Sequence, residues 1–183
     1  MLLKPNLDWI DNQGITLPAV QANIACVKGA LQVEFLVEEP LDCFRAEVQE
    51  DNSTSWEDSC VEIFLKNPTN PSEYINFETT SRGFMLAARG TGRENRTKLS
   101  TETLAKIKRA KQLASVAGNL ICWGMTVTIP PEIFGLETFE GVSLEGNLYK
   151  CADKAKHPHY LSAFPIDTEK PDFHRPEFFQ KIL

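Results

Sequence analysis

The stretch Trp56-Glu57-Asp58-Ser59-Cys60-Val61-Glu62-Ile63-Phe64 decides the fold. From Cys60 onward, Val61, Ile63 and Leu65 alternate with Cys60, Glu62, Phe64 and Lys66. Successive side chains of a strand point to opposite faces, so this period of two predicts a strand with one apolar face for a core and a second face free to hold a ligand. A Trp beside an aligned carboxylate suits a sugar. The ring stacks on the C–H face of a pyranose, and the carboxylate accepts hydrogen bonds from its hydroxyls.

Outward from this stretch, similar patterns predict strands over Leu31–Glu38, Cys43–Gln49, Glu73–Thr79, Phe84–Ala88, Ile121–Ile129 and Val142–Cys151, with an edge strand near Ile24–Val27. Breaks such as Glu39-Pro40, Asn67-Pro68-Thr69-Asn70-Pro71 and Arg82-Gly83 separate them. Many short strands with short gaps predict an all-β fold, an antiparallel, jelly-roll-like sandwich. One or two short helices complete it. Ser100–Ala114 carries Leu104, Ile107 and Leu113 among Lys106, Lys108, Arg109 and Lys111, a spacing that predicts a short amphipathic helix with a solvated basic face. Pro130-Pro131-Glu132-Ile133-Phe134-Gly135 predicts a single helical turn, with proline where the first N–H groups lack partners.

The 183 residues suit one domain, 1–183. A hydrophobic content of 42% against 24% charged residues argues against both disorder and a membrane class. The net charge of -6 argues against nucleic acid as a partner, because phosphate binding needs a concentrated cationic surface. No apolar run approaches a membrane span. Met1 to Asp11 lack the continuous apolar centre of a secretory signal, which leans the expected location toward the cell interior. Cys26, Cys43, Cys60, Cys122 and Cys151 include no Cys-x-x-Cys pair, so their spacing indicates neither a disulfide framework nor a zinc site.

Asn76 and Glu78 share one face of the next strand and would meet Glu62 if the two strands pair in register. Two other readings of the polar residues stand beside sugar binding. Asp58, Glu62 and Glu78 could supply the two carboxyl groups of a glycoside hydrolase, and Met85 or Met125 with His157, His159 or His174 could hold a heme. His157-Pro158-His159 otherwise reads as a turn with surface histidines, Lys150 and Arg175 as surface ion-pair partners, and Trp9 and Trp123 as packing residues. Arg89, Arg93 and Arg96 form a local cationic loop that a polyanion or an acidic sugar could meet, with a solvated turn as the plainer account.

The strand Tyr74-Ile75-Asn76-Phe77-Glu78, the turn Ile129-Pro130-Pro131-x-x-Phe134-Gly135 and the segment Gly146-Asn147-Leu148-Tyr149-Lys150 follow the opening stretch in an order that resembles family 9 carbohydrate-binding modules. The tail, His159-Tyr160-Leu161-Ser162 and then Asp172-Phe173-His174-Arg175-Pro176-Glu177-Phe178-Phe179, resembles their stand-alone, family-9-like branch. The resemblance implies a β-sandwich that clasps a mono- or oligosaccharide, including the chain ends of xylan or glucan, in carbohydrate catabolism. It carries ligand contacts onto Trp56, Glu62, Arg82 and Asn147. The second stacking ring has no Trp to fall on, and Tyr160 is the residue assigned, with Tyr149 and Phe164 as substitutes. The module is expected to be non-catalytic, to hold no cofactor and no metal at its site, and to have a glycoside hydrolase as partner. Calcium as a structural ion is a family trait that no Asp-rich loop here matches.

Overall fold

In a computed structural model, residues 1–10 and 14–183 are described, without the side chain of Leu113. The alternating stretch forms β4 (Cys60–Asn67) at the heart of a twelve-stranded antiparallel array. The others are β1 (Leu2–Pro5), β2 (Ala19–Val27), β3 (Ala30–Pro40), β5 (Asn70–Thr80), β6 (Met85–Gly90), β7 (Arg96–Lys98), β8 (Lys108–Ala117), β9 (Leu120–Ile129), β10 (Glu145–Cys151), β11 (Tyr160–Ser162) and β12 (Gln180–Lys181).

One sheet runs β1-β2-β3-β9-β8 and the other β7-β6-β5-β4-β10-β11-β1, with β12 beside β10. The short β1 belongs to both: Leu2 and Leu3 pair with β2, and Lys4 and Pro5 pair with β11. The fold is therefore an all-β sandwich closed along one seam. Its core is built from the period-two apolar faces. Leu31, Val33, Phe35 and Val37 of β3 and Trp123, Met125, Val127 and Ile129 of β9 meet Val61, Ile63 and Leu65 of β4, Ile75 and Phe77 of β5, and Leu148 of β10. Burial of these apolar surfaces is the main stabilising term of such a two-layer fold.

Two local expectations are corrected. The segment Ser100–Ala114 contains only the single turn α1 (Thr101–Leu104), capped by Ser100 Oγ accepting from the Thr103 amide at 3.3 Å. Leu104 and Ile107 turn inward, and the chain continues as β8, an edge strand paired with β9 that places Lys108 and Lys111 at the surface. Edge lysines keep an unpaired strand from recruiting another, so the basic alternation belongs to a strand rather than a helix. The segment Cys43–Gln49 forms no strand: the amides of Glu47 and Val48 donate to Asp58 Oδ2, each at 2.7 Å, and that of Arg45 donates to Ser59 Oγ at 3.0 Å. Side chains take the place of a neighbouring strand. The turn at Pro131–Phe134 forms as expected, and Gly135 ends it at φ 68°, a left-handed conformation that glycine adopts without a Cβ penalty.

The outer face of the β4 sheet is covered. The irregular chain after β11 lays Ile166, Phe173 and Phe179 over Cys60, Phe64, Tyr74, Tyr149 and Cys151, forming a second apolar cluster. Tyr149 and Phe173 stack at 4.1 Å, and Phe64 and Tyr74 at 5.8 Å.

Candidate functional site

Where that covering chain stops, a pocket opens on the outer sheet face, with about 140 Å³ of free space. Strand pairing builds its floor. Glu62 lies directly opposite Glu78 on β5 and opposite Tyr149 on β10, which brings Glu62, Glu78 and Cys151 to one place. Both glutamates are at least 97% buried, as their exposures of 2% and 3% require. Glu62 Oε1 accepts a hydrogen bond from the Cys151 thiol at 2.9 Å, and Glu78 Oε1 accepts one from Asn76 Nδ2 at 2.9 Å. Glu78 Oε2 is buried without a partner.

The walls come from loops. Trp56 sits on a 3₁₀ turn, Ser55–Glu57, that hangs from the β10–β11 connection: its carbonyl accepts from the Asp153 amide at 3.0 Å and lies 3.4 Å from the Cys151 sulfur. The backbone is thus fixed while the indole stays 37% exposed at the rim. Tyr160 is held edge-on by Trp9 and Phe173, each about 6.1 Å away. Arg93 and Arg96 come from the β6–β7 hairpin. Arg93 grips Asp172 through Nε and Nη2 at 3.1 and 2.9 Å, while Arg96 reaches Asn76 at 3.1 Å and lies 3.8 Å from Glu78.

Burial, together with the neighbouring Glu78, pushes the Glu62 carboxyl well above its ordinary range. Burial raises Glu78 to about 7, less than it would without Arg96 and Arg93, and raises Asp153 to about 6. His174, buried beside the same two arginines, is pushed down to about 2 and stays neutral, with Nδ1 2.8 Å from the Tyr74 hydroxyl. The floor therefore presents carboxyl groups that both donate and accept hydrogen bonds near neutral pH, next to aromatic surface and two guanidinium groups. That mixture matches a ligand with many hydroxyls.

The structure brings Trp56, Glu62 and Tyr160 together at this pocket, and places Arg82 and Asn147 elsewhere. Arg82 is exposed in the β5–β6 turn with its guanidinium 5.6 Å from the Phe84 ring centroid. Asn147 is fully buried and pins the covering chain, donating to the Phe164 carbonyl at 2.9 Å and accepting from the Phe164 amide at 3.0 Å. Sequence reasoning did not assign Arg93, Arg96, Asp153, Asp172 or His174 to this site. The run Arg89, Arg93 and Arg96 was the available signal, but which wall it faces depends on the hairpin.

Other polar residues have structural work. Asp58 is fully buried and ties down the Arg45–Val48 backbone, with Arg45 as its ion-pair partner. His159 and Lys150 are not at the surface: both are fully buried between the sheets, where Lys150 Nζ lies 2.7 Å from Glu39 and 2.6 Å from His159. A buried cation needs such a partner, and the acid on β3 supplies it. Arg175 does pair at the surface, with Glu177 at 2.7 Å. Met85 and Met125 lie in the inter-sheet core, whereas His174 lies on the opposite face of the β4 sheet, so these residues do not form a pair of axial ligands. Trp9 and Trp123 pack as expected, with the Trp123 indole donating to Glu39 at 3.0 Å.

A β-sandwich with a polar, aromatic-rimmed pocket on an outer sheet face defines a small-ligand-binding module. The chain belongs to carbohydrate-binding family 9, whose family model matches residues 5–183. It is similar to the crystal structure of a protein of Bacteroides uniformis ATCC 8492 assigned to carbohydrate binding, with 32% sequence identity and a TM-score of 0.85 over 98% of this chain and 84% of that one. None of the curated proteins matches the chain. The family makes a saccharide the ligand class. No helix among the described residues is long and apolar enough to cross a membrane.

Proposed function

We propose that the pocket binds the end of an oligosaccharide, or a single sugar, without chemical change to it. The observation that carries this reading is the placement of a backbone-anchored, partly exposed Trp56 at the rim of a pocket floored by Glu62 and Glu78. Trp56 supplies the stacking plate and Tyr160, which lines the same pocket, the second ring. Glu62, Glu78 and Asp153 take hydroxyls as donors or acceptors, Arg96 stands beside Glu78, and Arg93 holds the Asp172 wall in place. The small volume favours one or two sugar units over the side of a long chain. We extend this reading to a role in carbohydrate catabolism with a glycoside hydrolase as partner.

Calorimetric titration with xylo- and cello-oligosaccharides, with free and blocked reducing ends, tests the reading alongside Trp56→Ala. Removing an aromatic plate costs about 1 kcal/mol or more beyond area burial, so binding should weaken at least about tenfold while the thermal midpoint stays near that of the parent. Binding unchanged in the variant, no saturable heat anywhere in the panel, or product release from any of these sugars would each count against it.

A further inference from the structure

The β4–β10 register places Cys60 directly opposite Cys151, with both side chains on the pocket side of the sheet. Glu62, two residues along β4, faces the same way. The two sulfurs and a Glu62 carboxylate oxygen all lie within 4.8 Å of one another, and all three residues are buried. We propose that Cys60, Cys151 and Glu62 form a three-ligand site for a thiophilic divalent cation of the zinc class, with its fourth position open to the pocket. This goes beyond saccharide binding and does not depend on it.

Four observations carry the assignment. Two thiolates and one carboxylate are a donor set of the zinc type, and such a set with three protein ligands leaves one position for water or a ligand oxygen. A tetrahedral zinc with bonds of about 2.0–2.3 Å needs donors about 3.5–3.8 Å apart, so the set closes with side-chain adjustments of about 1 Å. Glu62 and Cys151 line the pocket, which gives the cation a way in from solvent. Finally, the orphan Glu78 Oε2, buried opposite Glu62 across the β4–β5 ladder, is an acceptor that a cation-bound water would satisfy.

Binding breaks the two S–H bonds and the O–H bond of the Glu62 carboxyl, with the electron pairs left on sulfur and oxygen, and the three protons pass to solvent. Two thiolates then balance the charge of the dication, and the remaining carboxylate charge lies at the pocket that Arg93 and Arg96 also line. Burial pushes the Cys60 thiol up to about 12 and Cys151 well above its ordinary value, so in the metal-free protein both are thiols. Such thiols are poor nucleophiles, which disfavours a disulfide between the same two residues as their purpose.

The test is a titration of the reduced, full-length protein with Co²⁺ alone, in the absence of oxygen. The expected result is a saturable thiolate-to-cobalt charge-transfer absorption at one equivalent, with tetrahedral visible bands that bleach when Zn²⁺ displaces the cobalt. Cys60→Ser and Cys151→Ser should each weaken Co²⁺ binding by more than the about 10–100-fold that loss of an outer-shell partner costs, whereas Cys26→Ser and Cys43→Ser leave it unchanged. X-ray absorption of the zinc-loaded parent does not depend on any variant folding, and should show two sulfurs at about 2.3 Å. No charge-transfer band in the parent, a band that survives Cys151→Ser, or a zinc shell of oxygen and nitrogen alone would each overturn the assignment. Sugar titrations run in chelator read the proposed saccharide site separately.

Discussion

At the scale of single residues, the pocket floor spends stability to hold two facing carboxyl groups. Burial raises Glu78 from 4.5 to about 7, and the same cause raises Glu62. A carboxyl whose folded value lies above its unfolded one binds more protons in the folded state, so its contribution is fully present below about pH 4.5 and is lost as pH rises through about 7. Glu78→Gln removes one of the two groups that drive this loss. Thermal midpoints measured between pH 4.5 and pH 8 should therefore fall less steeply in the variant than in the parent, and the variant should be the more stable at pH 8. Parallel curves would mean that Glu78 is ionised throughout and fully compensated by Arg96. The residue types of this floor were legible in the sequence: the period of two put Glu62 opposite the core face, and Asn76 with Glu78 on one face of the neighbouring strand. The match of Cys60 to Cys151 was not legible, because ninety-odd positions of chain separate them and only the register of β4 against β10 brings them together.

At the scale of elements, the site depends on how closely β10 approaches β4. Gly146 sits at that junction, where an added Cβ would lie 2.2 Å from the Phe64 carbonyl oxygen and 3.0 Å from Leu65 Cδ2. A carbonyl in a ladder cannot step aside without loosening the pairing that aligns Glu62 with Tyr149 further along the same strands. Gly146→Ala should cost about 1–3 kcal/mol in urea unfolding, the range for overpacking, while Gly92→Ala, with open space around it in the β6–β7 turn, should stay within about 0.5 kcal/mol. Equal effects would show that the junction yields easily. Elements with strict alternation, β3, β4, β5 and β9, were legible because both neighbours of each core residue are polar or face away. β8 was misread because Leu104 and Ile107, three residues apart, imitate a helical stripe, although the first ends a single turn and the second precedes a strand. The covering chain from 163 to 179 has no period at all, so its aromatic content fitted packing on the domain but did not say that it would bury Phe64 and Tyr149.

At the scale of the whole molecule, the two sheets are joined by more than apolar contact. Lys150 of β10 and Glu39 of β3 pair at 2.7 Å with no solvent exposure, and Ser59, Trp123 and His159 complete the cluster around the carboxylate. Burial alone would raise Glu39, but Lys150 and His159 outweigh it and hold the acid at about 2. Its folded value lies below its unfolded one, so the stability it adds is present above about pH 4.5 and disappears as pH falls through about 2. None of this was legible, since Lys150 and His159 are residue types that usually stay at the surface, and only the packing of one sheet on the other encloses them. Removing one partner leaves the other charged and buried, which costs about 3–5 kcal/mol, whereas replacing both with neutral groups is far less harmful. Lys150→Met should therefore lower the urea-unfolding free energy at pH 7 by about 3–5 kcal/mol, and adding Glu39→Gln, which keeps an acceptor for Ser59 and Trp123, should recover most of that loss. A single variant within about 0.5 kcal/mol of the parent, or a double variant no better than the single, would show that hydrophobic packing alone holds the sheets together and that the ion pair is incidental to the sandwich.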